Sequence, residues 1–471
     1  MTDQTLRRMP ILCWATGVIA VLGLTACSLI PKYERPEAPV PAQFADATAR
    51  ASVDPRAGAA DIAWQDFFRD RRLQRLIELA LQNNRDLRVA VLNIEQTRAL
   101  LQVKRADELP TVNAGVTGSR VPNSSASITS TFTAGLSVTS YEVDLFGRVR
   151  ALSQAAQAQL LASEEARKTV HIALVASVAN AYLNVRADEA LLQIARDTVA
   201  SRETSLRLTQ LKFNNEAASQ LELSLAQSLL EGAKASLAQF NRQRAQDNNA
   251  LVLLLGQSLP ADLPEGLPLT QQALLPDLPA GTPAELLLRR PDVRQAEQLL
   301  LANNANIGAA RAAFFPRISL TGSAGLVSGE MNSLFNNGSA AWSFTPQVLM
   351  PIFDAGRNQA NLDAAKVGRD IAVVQFEKTI QVGFREVSDA LVARDTYNEQ
   401  VRAQSAQLAA EETRLQLTDL RYTQGASNAL ELLDAKRSLF ATQQATVLAQ
   451  VQQVQSLVNL YKVLGGGWTA K

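Results

Sequence analysis

The sequence predicts an α+β membrane protein, mostly helical, made by tandem duplication, each copy supplying a β-hairpin and a long helical hairpin. Three observations predict it. The stretch LKFNNEAASQLEL (211–223) is written again as LRYTQGASNALEL (420–432), 209 positions later. Two windows, 112–140 and 318–353, carry one charge each, Arg120 and Glu330, and in both of them apolar and polar residues alternate. Between each window and the repeated stretch run roughly sixty residues without proline, on the order of 90 Å of helix at ~1.5 Å per residue.

The N-terminus carries an address. Arg7-Arg8, the apolar run ILCWATGVIAVLGL and Leu24-Thr25-Ala26-Cys27 form the basic, apolar and small-residue regions of a signal peptide over 1–26. The run is short for a helical span, which needs ~20 apolar residues. LTAC resembles the bacterial lipobox, which puts a diacylglycerol and an acyl chain on Cys27; no other cofactor is expected. Ser28 in place of an Asp resembles lipoproteins kept in the outer membrane. Residues 27–60 then read as a lipidated extended tether, too rich in proline (PKYERPEAPVPAQF, 31–44) to be helical. The cysteines are Cys13 and Cys27, so the mature region can form no internal disulfide.

The first copy covers 61–255, a Pro/Gly-rich linker 256–283, the second copy 284–465, and a tail 466–471. Gly147-Arg148 matches Gly356-Arg357, VANAYL (178–183) matches VSDALV (387–392), and LVLLLG (251–256) matches LYKVLG (460–465). Upstream the offset is 206: Asp86-Leu87 with Asp292-Val293, Arg105 with Arg311, Pro110 with Pro316. The change of offset places a short insertion between Pro316 and Gly356. Matched proline, Gly-Arg and turn residues exceed what two Ala/Leu-rich helices share by composition, so this is a duplication.

Each copy opens with a helix that ends at Pro110 or Pro316. The β-hairpins follow, about 111–143 and 317–352. Phe132, Ala134, Leu136 and Val138 interleave with Thr131, Thr133, Gly135 and Ser137; Ile318, Leu320, Gly322 and Ala324 interleave with Ser319, Thr321 and Ser323. Charge-free period-two alternation is the pattern of a membrane-spanning strand. VPNSSAS (121–127) and SGEMNSLFNNGSA (328–340) read as the turns. The helical hairpins run about 150–255 and 357–463. Val170, Ala173, Leu174, Ser177, Val178, Ala181, Tyr182 and Val185 make an apolar stripe on one face. The repeated stretch is the far tip of each hairpin.

Four strands cannot span a bilayer as an open sheet, because their edges leave backbone groups unpaired in hydrocarbon. The barrel must close between protomers. Eight strands fill their own interior, whereas twelve leave a lumen, so a homotrimer with four strands per protomer and a 12-stranded β-barrel is favoured. The same three chains would contribute twelve helical strands to a second, α-helical barrel.

These residues resemble the outer membrane factor family of TolC-type efflux channels, in its OprM/NodT lipoprotein branch. LTAC, the W-x-x-F-F of Trp64–Phe68, LALQNNRDLRVA (79–90), RRPDVRQAEQLLLANNANIGAARAAFFPRISLTGSAG (289–325), YTQGASNALELLDAKRSLF (422–440) and LYKVLGGGW (460–468) carry the resemblance. It covers nearly the whole mature chain. It implies a barrel continuous with a long periplasmic helical barrel, and passive export coupled to an inner-membrane pump, of RND type, through a periplasmic adaptor. It also implies a periplasmic gate made by the second hairpin, here LQLTDLRYTQG (415–425). Leu415 and Asp419 share a helix face, and a trimer would make them rings; carboxylate rings favour cations. The alternative is that Asp419 solvates the turn and pairs with Arg421. Arg421 and Tyr422 are the candidate latch. Ala217, Ala218, Ser219, Gly425, Ala426 and Ser427 are small enough for an adaptor hairpin to approach, or else serve the turns alone.

Other classes fit poorly. The net charge is +1, and zero without the N-terminal segment, so no nucleic-acid partner is expected. His171 is the only histidine, which argues against triads and zinc sites. Four Met, none clustered, give no sign of a copper or silver exporter. A periplasmic adaptor or scaffold lipoprotein would share the long hairpins but not the charge-poor strands, and a diffusion porin would lack the helices.

Overall fold

The computed structural model describes residues 28–41, 62–122, 127–272, 289–336 and 339–468. Cys27, the signal peptide, the tether from 42 to 61, most of the linker's second half and the last three residues lie outside them. The elements are α1 (Trp64–Phe67), α2 (Arg71–Asn83), α3 (Arg85–Ala106), β1 (Val112–Pro122), β2 (Ile128–Val143), α4 (Arg148–Asn214), α5 (Gln220–Leu255), α6 (Pro291–Ala312), β3 (Arg317–Ser328), β4 (Ala340–Leu349), α7 (Arg357–Thr423) and α8 (Ala429–Val463). The duplication is visible in the lengths: α3 and α6 have 22 residues each, α4 and α7 have 67 each. The β3–β4 connection (329–339) is longer than the β1–β2 one (123–127). Among the described residues no helix is long and apolar enough to cross a membrane. The chain forms two compact units, to both of which α3, α4, α6 and α7 contribute.

The first unit holds an antiparallel sheet in the order β1-β2-β3-β4. Its register sets Ala114, Leu136, Ala324 and Trp342 in one row and Gly115, Gly135, Gly325 and Ala341 in the next. The sheet is therefore two-faced. One face shows Val116, Leu136, Trp342, Phe344 and Val348, all exposed. The other shows hydroxyls that bond across strands, Thr117 with Thr133 at 2.6 Å and Ser323 with Ser343 at 2.8 Å. Gly135 and Gly325 face each other so closely that a Cβ on either would meet the other's backbone. The strands reach further than the turns suggested: Val121 and Pro122 pair with Thr129 and Ile128. Pro122 and Pro346 both sit on the outer strands of the four, β1 and β4, and not on the central pair. A bulge between Val138 and Tyr141 puts Ser140 at φ +55 and ends the alternation. At the sheet's base Glu142 accepts from Nε and Nη2 of Arg148, both at 2.7 Å, and pairs with Arg317 at 2.5 Å.

The N-terminal strap belongs to this unit and runs antiparallel to α6. Arg311 donates to the Leu29 carbonyl and Asn304 to that of Pro31, while Tyr33 and Arg35 both donate to Glu297. Ile30 lies where a Cβ on Gly308 would stand, so only glycine lets the strap lie flat. Ser28 thus comes to rest beside the end of α6 that leads into β3.

In the second unit the W-x-x-F-F motif anchors a core of helices. Phe67 stacks on Tyr461 at 4.0 Å and Phe68 meets that ring edge-on at 6.2 Å, among Leu73, Leu76, Val178, Leu183, Leu255 and Leu460. Each such side chain contributes about 1.5–3 kcal/mol of transfer free energy. Asp70, 2% exposed, caps α2 and ties it to two other segments. It accepts from Arg72 N (2.8 Å), Leu73 N (3.4 Å), Tyr182 Oη (2.8 Å), Leu267 N (2.9 Å) and Gln272 Nε2 (3.0 Å). Arg290 is buried on Asp292, Glu386 and the Val463 carbonyl.

Candidate functional site at the hairpin tips

Both tips lie in the second unit and share one construction. α4 ends with Glu216 N–H on the Phe213 carbonyl (3.0 Å) and Ala217 N–H on that of Lys212 (2.8 Å). α7 ends with Gly425 N–H on Tyr422 (3.0 Å) and Ala426 N–H on Arg421 (2.8 Å). These are two Schellman closures, each requiring a left-handed residue: Gly425 at φ +76 and, against preference, Glu216 at φ +59. The return helices are capped at matching positions. Ser219 forms a capping box with Glu222, and Asn428 accepts from Glu431 N at 2.9 Å. The repeated motif therefore encodes a helix stop, a left-handed turn and a helix start.

Of the small tip residues, Ala217, Ser219, Gly425 and Ala426 are exposed, and Ala218 and Ser427 half-buried. Ser427 hydrogen-bonds Glu431. Around them stand leucines in matching places: Leu208 with Leu417, Leu211 with Leu420, Leu221 with Leu430, every one exposed. The sequence reading passed over this set, although the 209-residue offset relates all three pairs.

In the gate segment Leu415 is half-buried and Asp419 exposed. Arg421 turns to its own hairpin and donates to the Ala426 carbonyl at 3.3 Å. Tyr422 is engaged by the other hairpin: Lys212 Nζ donates to its hydroxyl at 2.8 Å and lies 4.6 Å from the ring centroid. Arg414 joins the two helices of the second hairpin, bonding Asp434 at 2.6 Å and Glu411 at 3.2 Å. Lys436 of α8 donates to Ser205 of α4 at 2.8 Å; burial first, then nearby Arg202, lower its pKa, while Asp419 opposes them. Arg202 is itself buried, and burial lowers its pKa too. Neither Lys212 nor Arg202 drew notice in the sequence, since nothing local marks a lysine or an arginine as facing a second hairpin.

A two-faced sheet with hydroxyls on one side and bare apolar residues on the other, joined to paired helical hairpins, defines a channel-forming protein of the outer membrane. The family model described as "Outer membrane efflux protein" matches residues 76–257 and again 282–466, one match per copy. The chain belongs to that family. The antibiotic efflux pump outer membrane protein ArpC of Pseudomonas putida is 48% identical over 453 residues, 94% of this chain and 93% of the relative. The toluene efflux pump outer membrane protein TtgC of Pseudomonas putida gives the same figures. The open state of the MtrE outer membrane channel of Neisseria gonorrhoeae superposes with a TM-score of 0.87 at 42% identity, over 94% of this chain and 99% of that one. The adaptor alternative is thereby set aside.

Proposed function

We propose that the chain is the exit duct of a tripartite efflux system, a passive conduit from periplasm to exterior for drugs, solvents or other small amphiphiles. The two-faced sheet with open edges carries this reading. Among the described residues β1 and β4 each keep one edge without a partner strand, and hydrocarbon does not tolerate such edges. Three copies close them into twelve strands, with the hydroxyl face toward the lumen and Trp342, Phe344 and Val348 toward lipid. The names of the relatives, an antibiotic pump and a toluene pump, support the substrate class.

Cys27 carries the lipid. The strap along α6 favours this, because it holds Ser28 beside the root of β3, within reach of the inner leaflet. The exposed leucines and small residues at the tips form the docking surface for a periplasmic adaptor, which connects the duct to an inner-membrane pump of the RND type; exposed apolar patches mark such surfaces. Leu415 and Asp419 line the gate, and Arg421 and Tyr422 help hold it. Purified protein in a planar bilayer tests the duct directly. It should open discrete pores whose conductance rises in Asp419→Ala; an inserted protein that passes no current would remove the conduit reading. A cysteine at Ser427 should cross-link to the adaptor, and failure to do so in an assembled pump would count against tip docking.

A further inference from the structure

We propose that Asp188 of α4 and Asp247 of α5 share one proton across the first helical hairpin, making a proton-binding site that sets how tightly the two helices seat on one another. The pair lies nearly equidistant from the tip at Ala217, so the antiparallel register of the hairpin brings the two residues opposite each other. Asp188 is 4% exposed, and its Oδ2 is enclosed with no donor group beside it among the described residues. The Asp188 carboxyl is hydrogen-bonded to the Asp247 carboxyl. Two carboxylates have no proton to offer each other; one carboxylic acid and one carboxylate make a strong bond. An enclosed carboxyl oxygen without a donor, and a second acid bonded to the same carboxyl, have one resolution in common, a proton between the two groups.

The surrounding charges agree. Burial, then the hydrogen bond and charge of Asp247, then the charge of Glu189 push Asp188 up to about 7, and Arg244 opposes them. Glu189 is partly neutralised by its ion pair with Arg186. On α2, Arg75 pairs with Glu78 at 2.9 Å, and α8 carries no charge between Arg437 and Lys462. The second copy holds Tyr397 and Ser456 at the corresponding positions, so a facing pair of acids is not a requirement of the hairpin architecture.

The sign follows from linkage. A carboxyl whose pKa is raised on folding stabilises the closed hairpin fully below the ordinary carboxylate range, and that stabilisation is lost as pH rises toward about 7. Above that value both groups are charged and the first hairpin loosens. The full-length mature protein in detergent, studied by infrared difference spectroscopy and thermal melting at about pH 6 and about pH 8, tests this. Wild type should show a protonated carboxyl band at the lower pH that vanishes at the higher, with a melting midpoint a few degrees lower. Asp188→Asn keeps a donor toward Asp247; it should lose the band and hold its midpoint constant across the window. If Asp188→Asn does not assemble, Asp247→Asn should still abolish the band at about pH 6, because the amide supplies the donor and leaves Asp188 ionised. A band that survives in whichever variant assembles, or a melting profile of Asp188→Asn parallel to wild type, overturns the proposal.

Discussion

Tyr422→Phe removes the hydroxyl that Lys212 Nζ reaches at 2.8 Å but leaves the ring beneath the cation at 4.6 Å. Lys212→Ala removes both. A hydrogen bond to a charged group contributes roughly 1.5–3 kcal/mol when sheltered. Here Lys212 is exposed and Tyr422 half-buried, which reduces it to about 1 kcal/mol. The exposed cation–π contact adds about 0.5 kcal/mol. In a trimer whose three tips move together, Tyr422→Phe therefore costs the latched state about 3 kcal/mol, a shift of about 100-fold in the open-to-closed ratio. Lys212→Ala should shift it further. Single-channel recording in planar bilayers reads this as a larger mean conductance or a longer open time, in the order wild type, Tyr422→Phe, Lys212→Ala. Normal trimers that conduct like wild type in both variants, or the reverse order, would refute the latch.

Asp70→Ala should destabilise the protein by about 3 kcal/mol: about 1 for the lost helix cap and about 1 each for Tyr182 Oη and Leu267 N left without an acceptor, Gln272 keeping the Leu267 carbonyl, seen as a lower melting temperature with little change in conductance. Glu216→Gly should stabilise the first tip by roughly 0.5–1 kcal/mol by relieving its left-handed backbone, whereas Gly425→Val should destabilise the second by at least as much; hydrogen exchange at the two turns distinguishes them. Burial first, then Arg167, lower His171 to about 4. Its depressed value gives stability that is full above the unfolded value near 6.5 and is lost as pH falls toward about 4, and a His171→Gln protein should lack that part of the acid destabilisation in a pH series of melts.

What could be read from the sequence was whatever is written locally or written twice. Strands betray themselves when charge disappears and side chains alternate, and Thr131–Val138 did both until the bulge at Ser140 broke the period. The tips were readable because a Schellman turn and an N-cap need particular residues within ten positions, from Lys212 to Glu222. Lys212 and Tyr422 stand 210 positions apart, and their meeting depends on how two hairpins pack. Asp70 looked like any acidic residue before a helix; that it also holds Tyr182, Leu267 and Gln272 follows only from the packed core. The strap is a similar case, since proline content gave an extended tether but not its course along α6, which Gly308 permits. The exposed leucines could have been found by applying the 209-residue offset to Leu208, Leu211 and Leu221.

Closure of the sheet between copies is the claim on which the duct and its gate both depend. Light scattering on the detergent-extracted mature protein, corrected for bound detergent, measures it directly. The account predicts a mass of three chains. A monomer that stays in solution once detergent is removed would contradict it, because the apolar face of Trp342, Phe344 and Val348 would then need neither lipid nor a partner.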